Sequence, residues 1–206
     1  MGALLEIIRK HRKAYLVLNA VYYGLVILAM VYIYFNPNLQ ETLLAAVGQT
    51  FEEGGILGAV GEAYSGGQVV SATLLTFVVN LFIGSLLSIS VPSLVIPFSG
   101  LLLGVYRAVL WGLMLSPAYQ PLVGPMIPHA LTLILEGQAY IVAMLGVYIH
   151  GRYFLWPAIA GVEGRGRGYL AGLKASARLY VLVALLLAIA AVYEVLEVIF
   201  LVPLLA

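Results

Sequence analysis

The sequence contains no cysteine and no aspartate, and it carries little charge of either sign. Without cysteine the chain forms neither disulfides nor thiolate metal sites. Because every acidic residue is a glutamate, chemistry that depends on a pair of aspartates is excluded. Charged residues make up 9% of the 206 residues and hydrophobic residues 63%. A soluble domain or a nucleic-acid-binding protein needs far more charge on its surface, so the composition indicates an integral membrane protein in a lipid bilayer.

Long hydrophobic runs predict an all-α bundle of about five membrane-spanning helices. The predicted spans are residues 14–35, 68–89, 98–116, 128–149 and 177–202. The first run follows basic residues, as in a signal peptide, but it is too long for a signal core and no small-residue cleavage site follows it. We therefore expect it to be retained, and residues 1–206 to form a single transmembrane domain.

Basic residues are concentrated in the N-terminal segment 1–13 and in or just after the connection 150–176, with Arg107 as the exception. With five spans, four of them lie between these two segments, so both segments lie on the same side, which the positive-inside rule assigns to the cytoplasm. The sequence thus predicts a cytoplasmic N-terminus and an external C-terminus in a plasma membrane. The glycine-rich, basic connection 150–176 itself is interpreted as a flexible loop or, alternatively, as a contact for anionic lipid headgroups or a soluble partner.

Two other connections have distinctive compositions. Residues 37–67 combine apolar residues at helical spacing with glutamates, which predicts an amphipathic helix on the outer membrane surface. This segment either caps the bundle or docks an extracytoplasmic protein partner. Residues 85–100 are uncharged and contain two prolines. They are interpreted as a tight turn or, alternatively, as a re-entrant loop.

Arg107 and Glu136 lie deep inside the predicted third and fourth spans. At a rise of 1.5 Å per residue, each lies roughly 12–14 Å from the end at which its span enters the membrane. An isolated charge near the midplane costs at least about 3 kcal/mol. We therefore expect Arg107 and Glu136 to form a buried ion pair or to share a polar cavity.

Further polar residues extend this pair into what we call the polar seam. The members on the fourth predicted span share one helical face: His129, Thr132, Glu136 and Tyr140. Asn80 lies near mid-depth in the second span, and Glu194 and Glu197 are either solvated at the outer boundary or reach His129. The seam either fixes the register of the helices or forms a path for an ion, a proton or a substrate. No catalytic motif, cofactor or metal site is predicted.

Small residues recur at every fourth position of the third predicted span: Gly100, Gly104, Ala108 and Gly112. Such a face lets another helix approach closely. It packs either inside one chain or between two protomers, and its proximity to Arg107 favours the interior.

Three stretches of the sequence resemble the stage II sporulation protein M family of membrane proteins. They are VVNLFIGSLLSISVPSLVIPFSGLLLGV, PH followed by EGQAYIVAMLG, and GYLAGLKASARLYVLVALLLAIAAVYEVL, which together cover about residues 70–200. The resemblance implies that the family's characteristic residues correspond to Asn80, Pro128, His129, Glu136 and Glu194. The resemblance implies a non-enzymatic, polytopic protein of a prokaryote.

The expected role is that of a scaffold or partner in an envelope membrane assembly, as a homodimer or a larger complex. The alternative is a transporter or channel subunit that uses the polar seam containing Arg107 and Glu136.

Overall fold

The computed structural model describes residues 2–52 and 54–205, which form helices joined by short connections, with no strand among them. The main helices are α1 (Gly2–Lys10), α2 (Arg12–Tyr34), α3 (Pro37–Glu52), α4 (Gly55–Ser65), α5 (Val69–Val95), α6 (Ser99–Met114), α7 (Met126–Leu155) and α8 (Arg165–Leu204). Helix α5 is π-helical at Val79–Ser90, and α8 is π-helical at Glu197–Leu201. Glu53 of the predicted outer segment lies outside the described residues, as do Met1 and Ala206.

Four of these helices, α2, α5, α7 and α8, are long and apolar enough to cross a membrane. The prediction of an all-α, multi-pass membrane protein is confirmed at this level. Helix α6 is also apolar but has only 16 residues, whereas the other four have 23 or more.

Helix α7 lies at the centre of the bundle, because α2, α5, α6 and α8 all pack against it. Residues 139–147 of α7 are all buried. A helix that is apolar on every side is expected in such a position. Helix α6 packs mainly against α2, where Gly112 lies so close to Val26 and Ala29 that a Cβ atom would clash.

The segment 150–176, interpreted from sequence as a flexible loop, is mostly helical. Helix α7 continues to Leu155 and α8 begins at Arg165. Two of the glycines that suggested flexibility, Gly168 and Gly172, are packing residues, since a Cβ atom on Gly172 would lie 2.7 Å from the Cα atom of His150. The turn itself uses Gly161 and Gly164, which adopt φ angles of 69° and 79°.

The connection 85–100 is also more helical than predicted. Helix α5 runs through Pro92 to Val95, and the change of direction takes place at residues 96–98. A serine hydroxyl supports the junction, because the backbone N–H of Gly100 donates to Ser93 Oγ at 2.7 Å. The predicted tight turn is thus confined to residues 96–98, which include the second proline, Pro97.

The two ends of the bundle differ in charge. At one end, the start of α2, the end of α7 and the start of α8 meet, and Lys10 lies over the ring of Tyr153. We call this end the basic end. At the opposite end, α3 and α4 carry exposed Glu41, Glu52 and Glu62, and we call it the acidic end.

Helices α3 and α4 occupy the predicted segment 37–67. Gln40 is the buried residue of α3, and its Nε2 donates to the carbonyl oxygens of Met114 and Ser116 at 3.0 and 2.8 Å. These carbonyls belong to the C-terminal end of α6, where a helix leaves acceptors without partners. Helix α3 is therefore anchored to the bundle by a polar side chain, which the pattern of apolar residues did not indicate.

Candidate functional site

A cavity of about 320 Å³ lies in the acidic half of the bundle. Its polar lining comes from four helices: Asn80 of α5, Arg107 of α6, His129, Thr132 and Glu136 of α7, and Glu194 of α8. Phe51 of α3 closes one side of the cavity. The positions on α7 are spaced by three or four residues, so one face of that helix supplies three polar groups.

Arg107 and Glu136 line this one cavity, but no ion pair joins them among the described residues. The guanidinium of Arg107 instead donates to the carbonyl oxygen of Gly84 at 3.2 Å and to the hydroxyl of Tyr140 at 3.0 Å. It also lies 4.1 Å from the ring centroid of Tyr140. Of the two arrangements expected from sequence, the structure has the shared cavity rather than the direct ion pair, because the guanidinium donates to Gly84 and Tyr140 and lies against an aromatic ring.

Glu136 is buried, and its carboxylate accepts a hydrogen bond of 2.5 Å from Asn80 Nδ2. The carboxyl group of Glu194 lies within hydrogen-bonding reach of it. Two neighbouring carboxylates repel each other strongly when both are ionised, and the repulsion is relieved if they share a proton. The site therefore contains a pair of acidic groups that favours an added positive charge.

His129 pairs with Glu197. The His129 Nδ1 atom lies 2.8 Å from Oε1 of Glu197, and the hydroxyl of Thr132 donates to Oε2 of the same carboxylate at 2.6 Å. Of the two glutamates considered from sequence, Glu197 contacts His129, while Glu194 faces the cavity. Glu197 is completely buried, and its two partners tie the end of α8 to the beginning of α7.

Two buried polar atoms in the cavity lining have no hydrogen-bond partner among the described residues. They are Nε of Arg107 and Oε2 of Glu194. A buried donor or acceptor without a partner costs roughly 1–3 kcal/mol. One is a donor and the other is an acceptor, so both atoms could take part in binding a polar species.

A second cavity of about 330 Å³ adjoins the first, and Phe51, Asn80 and Glu194 line both. It lies between α4, α5 and α8, where the hydroxyl of Tyr64 and the hydroxyl of Thr76 are 3.0 Å apart. The two cavities together lead from the α3–α4 region to Arg107. Towards the basic end, residues 139–147 of α7 are buried and lie outside the lining of both cavities.

The predicted stripe of small residues on α6 is buried in the described chain: Gly100, Gly104, Ala108 and Gly112. Its members face different helices. A Cβ atom on Gly104 would lie 2.5 Å from the sulfur of Met144 in α7, whereas Gly112 meets α2. The stripe positions α6, and with it Arg107, against the centre of the bundle.

The sequence reasoning missed a polar cluster between α2 and α7. Gln138 accepts from the hydroxyl of Tyr15 at 2.6 Å and donates to Asn19 and Tyr23 at 2.6 and 3.1 Å. Tyr15, Asn19 and Tyr23 are four residues apart, which is a helical spacing that could have been read as a polar face. This cluster lies outside the cavity lining and fixes α2 on α7.

No group of three or more metal-ligating side chains is found in residues 2–52 and 54–205. Comparisons with family models, with curated proteins and with solved structures give no match to this chain. The resemblance to the stage II sporulation protein M family therefore stays a prediction, and the site has to be interpreted from its own geometry.

Proposed function

We propose that this protein is a transporter or channel subunit whose cavity takes up a proton or a small hydrated cation. The observation that supports this proposal is the excess of carboxyl groups around the cavity. Glu136 and Glu194 line it and Glu197 lies beside it, while Arg107 is the permanent cation among the described lining residues. Intramembrane glutamates facing a cavity are typical of ion and proton pathways, because their burial is costly and needs a function to retain it.

The pair of unpartnered atoms favours a hydrated species. A water molecule offers an oxygen to Nε of Arg107, and a proton or cation offers positive charge to Oε2 of Glu194. The adjoining second cavity provides an approach to Glu194 from the α3–α4 region. Because residues 139–147 of α7 are buried, we expect release towards the basic end to require a rearrangement of the bundle.

The proposal is tested by proton and cation flux into proteoliposomes that contain the full chain. With a pH-sensitive dye inside and an imposed membrane potential, we expect uptake that Glu136→Gln reduces to the rate of empty liposomes. The matched control is Glu41→Gln, because Glu41 is exposed on α3 and the substitution removes the same charge. Wild-type protein that moves neither protons nor sodium nor potassium above the rate of empty liposomes contradicts the proposal.

We also propose five membrane crossings, with α6 as the short third one, a cytoplasmic basic end and an external acidic end. Lys10, Lys174 and Arg178 line one cavity at the basic end, which supports a common side for the two basic segments. In a prokaryote this places the chain in the plasma membrane with its N-terminus inside and its C-terminus outside.

Single cysteines test this topology cleanly, because the natural chain has none. In intact cells a membrane-impermeant maleimide is expected to label Gln49→Cys and Leu205→Cys. Glu163→Cys is expected to react only after the cells are permeabilised. Labelling of Gln49→Cys but not of Leu205→Cys in intact cells indicates four crossings instead.

The scaffold role implied by the family resemblance is a second proposal, supported by the exposed α3–α4 segment. Leu39 and Ile56 are exposed apolar residues beside exposed glutamates, a composition that suits contact with a protein. A homodimer through this segment predicts intermolecular disulfides for Ile56→Cys but not for Leu102→Cys, which lies exposed on α6. Equal crosslinking at both positions contradicts an interface through α3 and α4.

A further inference from the structure

A third cavity lies at the basic end, apart from the candidate functional site. It has a volume of about 400 Å³ and lies between α1 and α8, above Tyr153 of α7. Its charged and polar lining residues are Glu6, Lys10, His11, Tyr153, Lys174 and Arg178. We call this cavity the basic groove. Helix α1 holds its place because Ile7 and Ile8 pack against the apolar core.

Positive charge predominates in the basic groove. It contains three permanent cations and one carboxylate, Glu6. The ion pair found in the described part of the chain joins His129 and Glu197, so Lys10, Lys174 and Arg178 have no acidic partner there. Like charges gathered at one place repel one another, and a bound anion relieves the repulsion.

His11 reports the electrostatic potential of the groove. It precedes the first membrane-spanning helix, and its Nε2 lies 3.3 Å from the hydroxyl of Tyr153. Burial lowers the pKa of His11, and the charges of Lys10 and Arg152 lower it further. Arg152 bonds to Tyr148 and thus adds a fourth positive charge near the groove.

The groove lies beside the starts of two long apolar stretches, in α2 and α8, that are long enough to cross a membrane. Lys10 is close to the start of α2, and Lys174 and Arg178 precede the long apolar part of α8, which begins at Leu179. Alanines 171 and 175 form an apolar edge beside these cations. Basic pockets between helices on the cytoplasmic side of membrane proteins bind phosphorylated headgroups, since the pocket presents fixed donors and the lipid tail stays in the bilayer.

We propose that the basic groove is a binding site for a phosphate group carried by the headgroup of an anionic phospholipid. Arg178 supplies a planar donor pair suited to phosphate oxygens, and Lys10 and Lys174 supply point charges. The apolar edge accommodates the glycerol and the first methylenes of the lipid. The proposal does not depend on transport through the polar cavity.

The experiment is a titration of the full chain in neutral detergent with short-chain phosphatidylglycerol. The readout is the NMR signal of the His11 imidazole, assigned with His11→Gln. Bound phosphate offsets the field of Lys10 and Arg152, so we expect the pKa of His11 to rise and binding to saturate. Short-chain phosphatidylcholine, which is zwitterionic, is expected to leave the His11 signal unchanged. A response of equal size to both lipids overturns the proposal.

Substitutions of the groove cations test whether the lipid binds in the basic groove. Lys174→Gln with Arg178→Gln removes two groove cations, and about thirtyfold weaker binding is expected at ~1 kcal/mol for each charge. The control is Arg165→Gln with Arg167→Gln, which removes two exposed cations from the same helix outside the groove. Equal weakening by both pairs of substitutions indicates general attraction to the basic end and overturns the site.

A titration with inorganic phosphate tests whether the groove binds a lipid headgroup or a free phosphate ion. We expect it to shift the His11 signal far less than phosphatidylglycerol at equal concentration, because it lacks the apolar part. Saturable binding of inorganic phosphate with the same affinity overturns the assignment to a lipid. Should the groove variant fail to fold, the comparison of the two lipids on wild-type protein still decides the question.

Discussion

The two halves of helix α7 have opposite surroundings, although they belong to one continuous helix. Residues 139–147 of α7 are buried, and nearer the basic end Gly168 and Gly172 of α8 let the backbones of α7 and α8 approach closely. We call this contact the glycine seam. Towards the acidic end, the same helix carries His129, Thr132 and Glu136 into a polar cavity.

This contrast shows that one helix combines a closely packed half with a half that lines a polar cavity. Lipid tails are as apolar as leucine, so helices in a bilayer gain little from hiding apolar surface and depend on close packing. The glycine seam provides that packing. The polar half contains buried charged groups that lower the free energy of unfolding. The close packing of the other half offsets this loss. Substitutions in the two halves should therefore differ in size and in kind.

The largest expected effect is at the glycine seam. A Cβ atom on Gly172 would lie 2.7 Å from the Cα atom of His150, a backbone atom that cannot move aside locally. Gly172→Leu is expected to lower the free energy of unfolding by roughly 3 kcal/mol through overpacking. Gly166→Leu is the control, because nothing lies within 4 Å of a Cβ atom there. Equal melting temperatures of the two variants in detergent would show that close packing at the glycine seam does not stabilise the protein.

The second effect tests the polar half. Arg107→Ala removes two hydrogen bonds and the opposing charge of the cavity, with an expected loss of about 2 kcal/mol. The double variant Arg107→Ala/Glu136→Ala is expected to be more stable than the single one, since it leaves one buried carboxylate fewer. Arg152→Ala is the control, with an expected loss under about 1 kcal/mol. Thermal unfolding that ranks the double variant below the single one contradicts this electrostatic account.

A smaller effect is expected where α3 meets α6. Gln40→Leu removes two hydrogen bonds to the end of α6, with an expected loss of roughly 1–2 kcal/mol. Gln49→Leu provides the comparison, because Gln49 is exposed on the same helix. Proteolysis after residue 52 offers a second readout, since a released α3 is cut faster. Identical stability of the two leucine variants shows that α3 is not anchored by Gln40.

The smallest effect concerns pH at the basic end. Because the pKa of His11 is lowered from 6.5 by burial and then by Lys10 and Arg152, the unfolded chain binds a proton at a higher pH than the folded chain does. The stability linked to His11 is complete above its ordinary pKa and is lost as the pH falls through that value towards the lowered one. Melting curves from about pH 8 to about pH 5 should show a flatter dependence for His11→Gln than for wild type. Parallel curves contradict the shift.

Much of the fold was predictable from the sequence because hydropathy depends only on local composition. The predicted span 128–149 lies within Met126–Leu155, and the predicted span 14–35 nearly coincides with Arg12–Tyr34. Helical stretches with glycine or proline were not recognised. Both segments, 85–100 and 150–176, contain proline and glycine, and the second is rich in glycine. Their helices form because neighbouring helices pack against them.

The candidate site was predictable in its members but not in its contacts. Asn80, Arg107, His129, Glu136 and Glu194 stand out as polar residues in apolar runs, and all five line the same cavity. Sequence spacing paired Arg107 with Glu136, whereas the fold gives each a different partner. Which side chains meet depends on how far each helix is rotated about its axis. The position of a residue along its helix gives its depth in the membrane but not this rotation.

The sequence by itself determined that this is an all-α, multi-pass membrane protein with a handful of costly polar residues, because composition and periodicity alone set the energy of burial in lipid. Only the tertiary structure decided that Tyr140 and Gly84 satisfy Arg107, that Glu197 pairs with His129, and that Gly168 and Gly172 pack rather than flex. These features depend on the distance and rotation between helices far apart in the chain, which the packing of the whole bundle fixes.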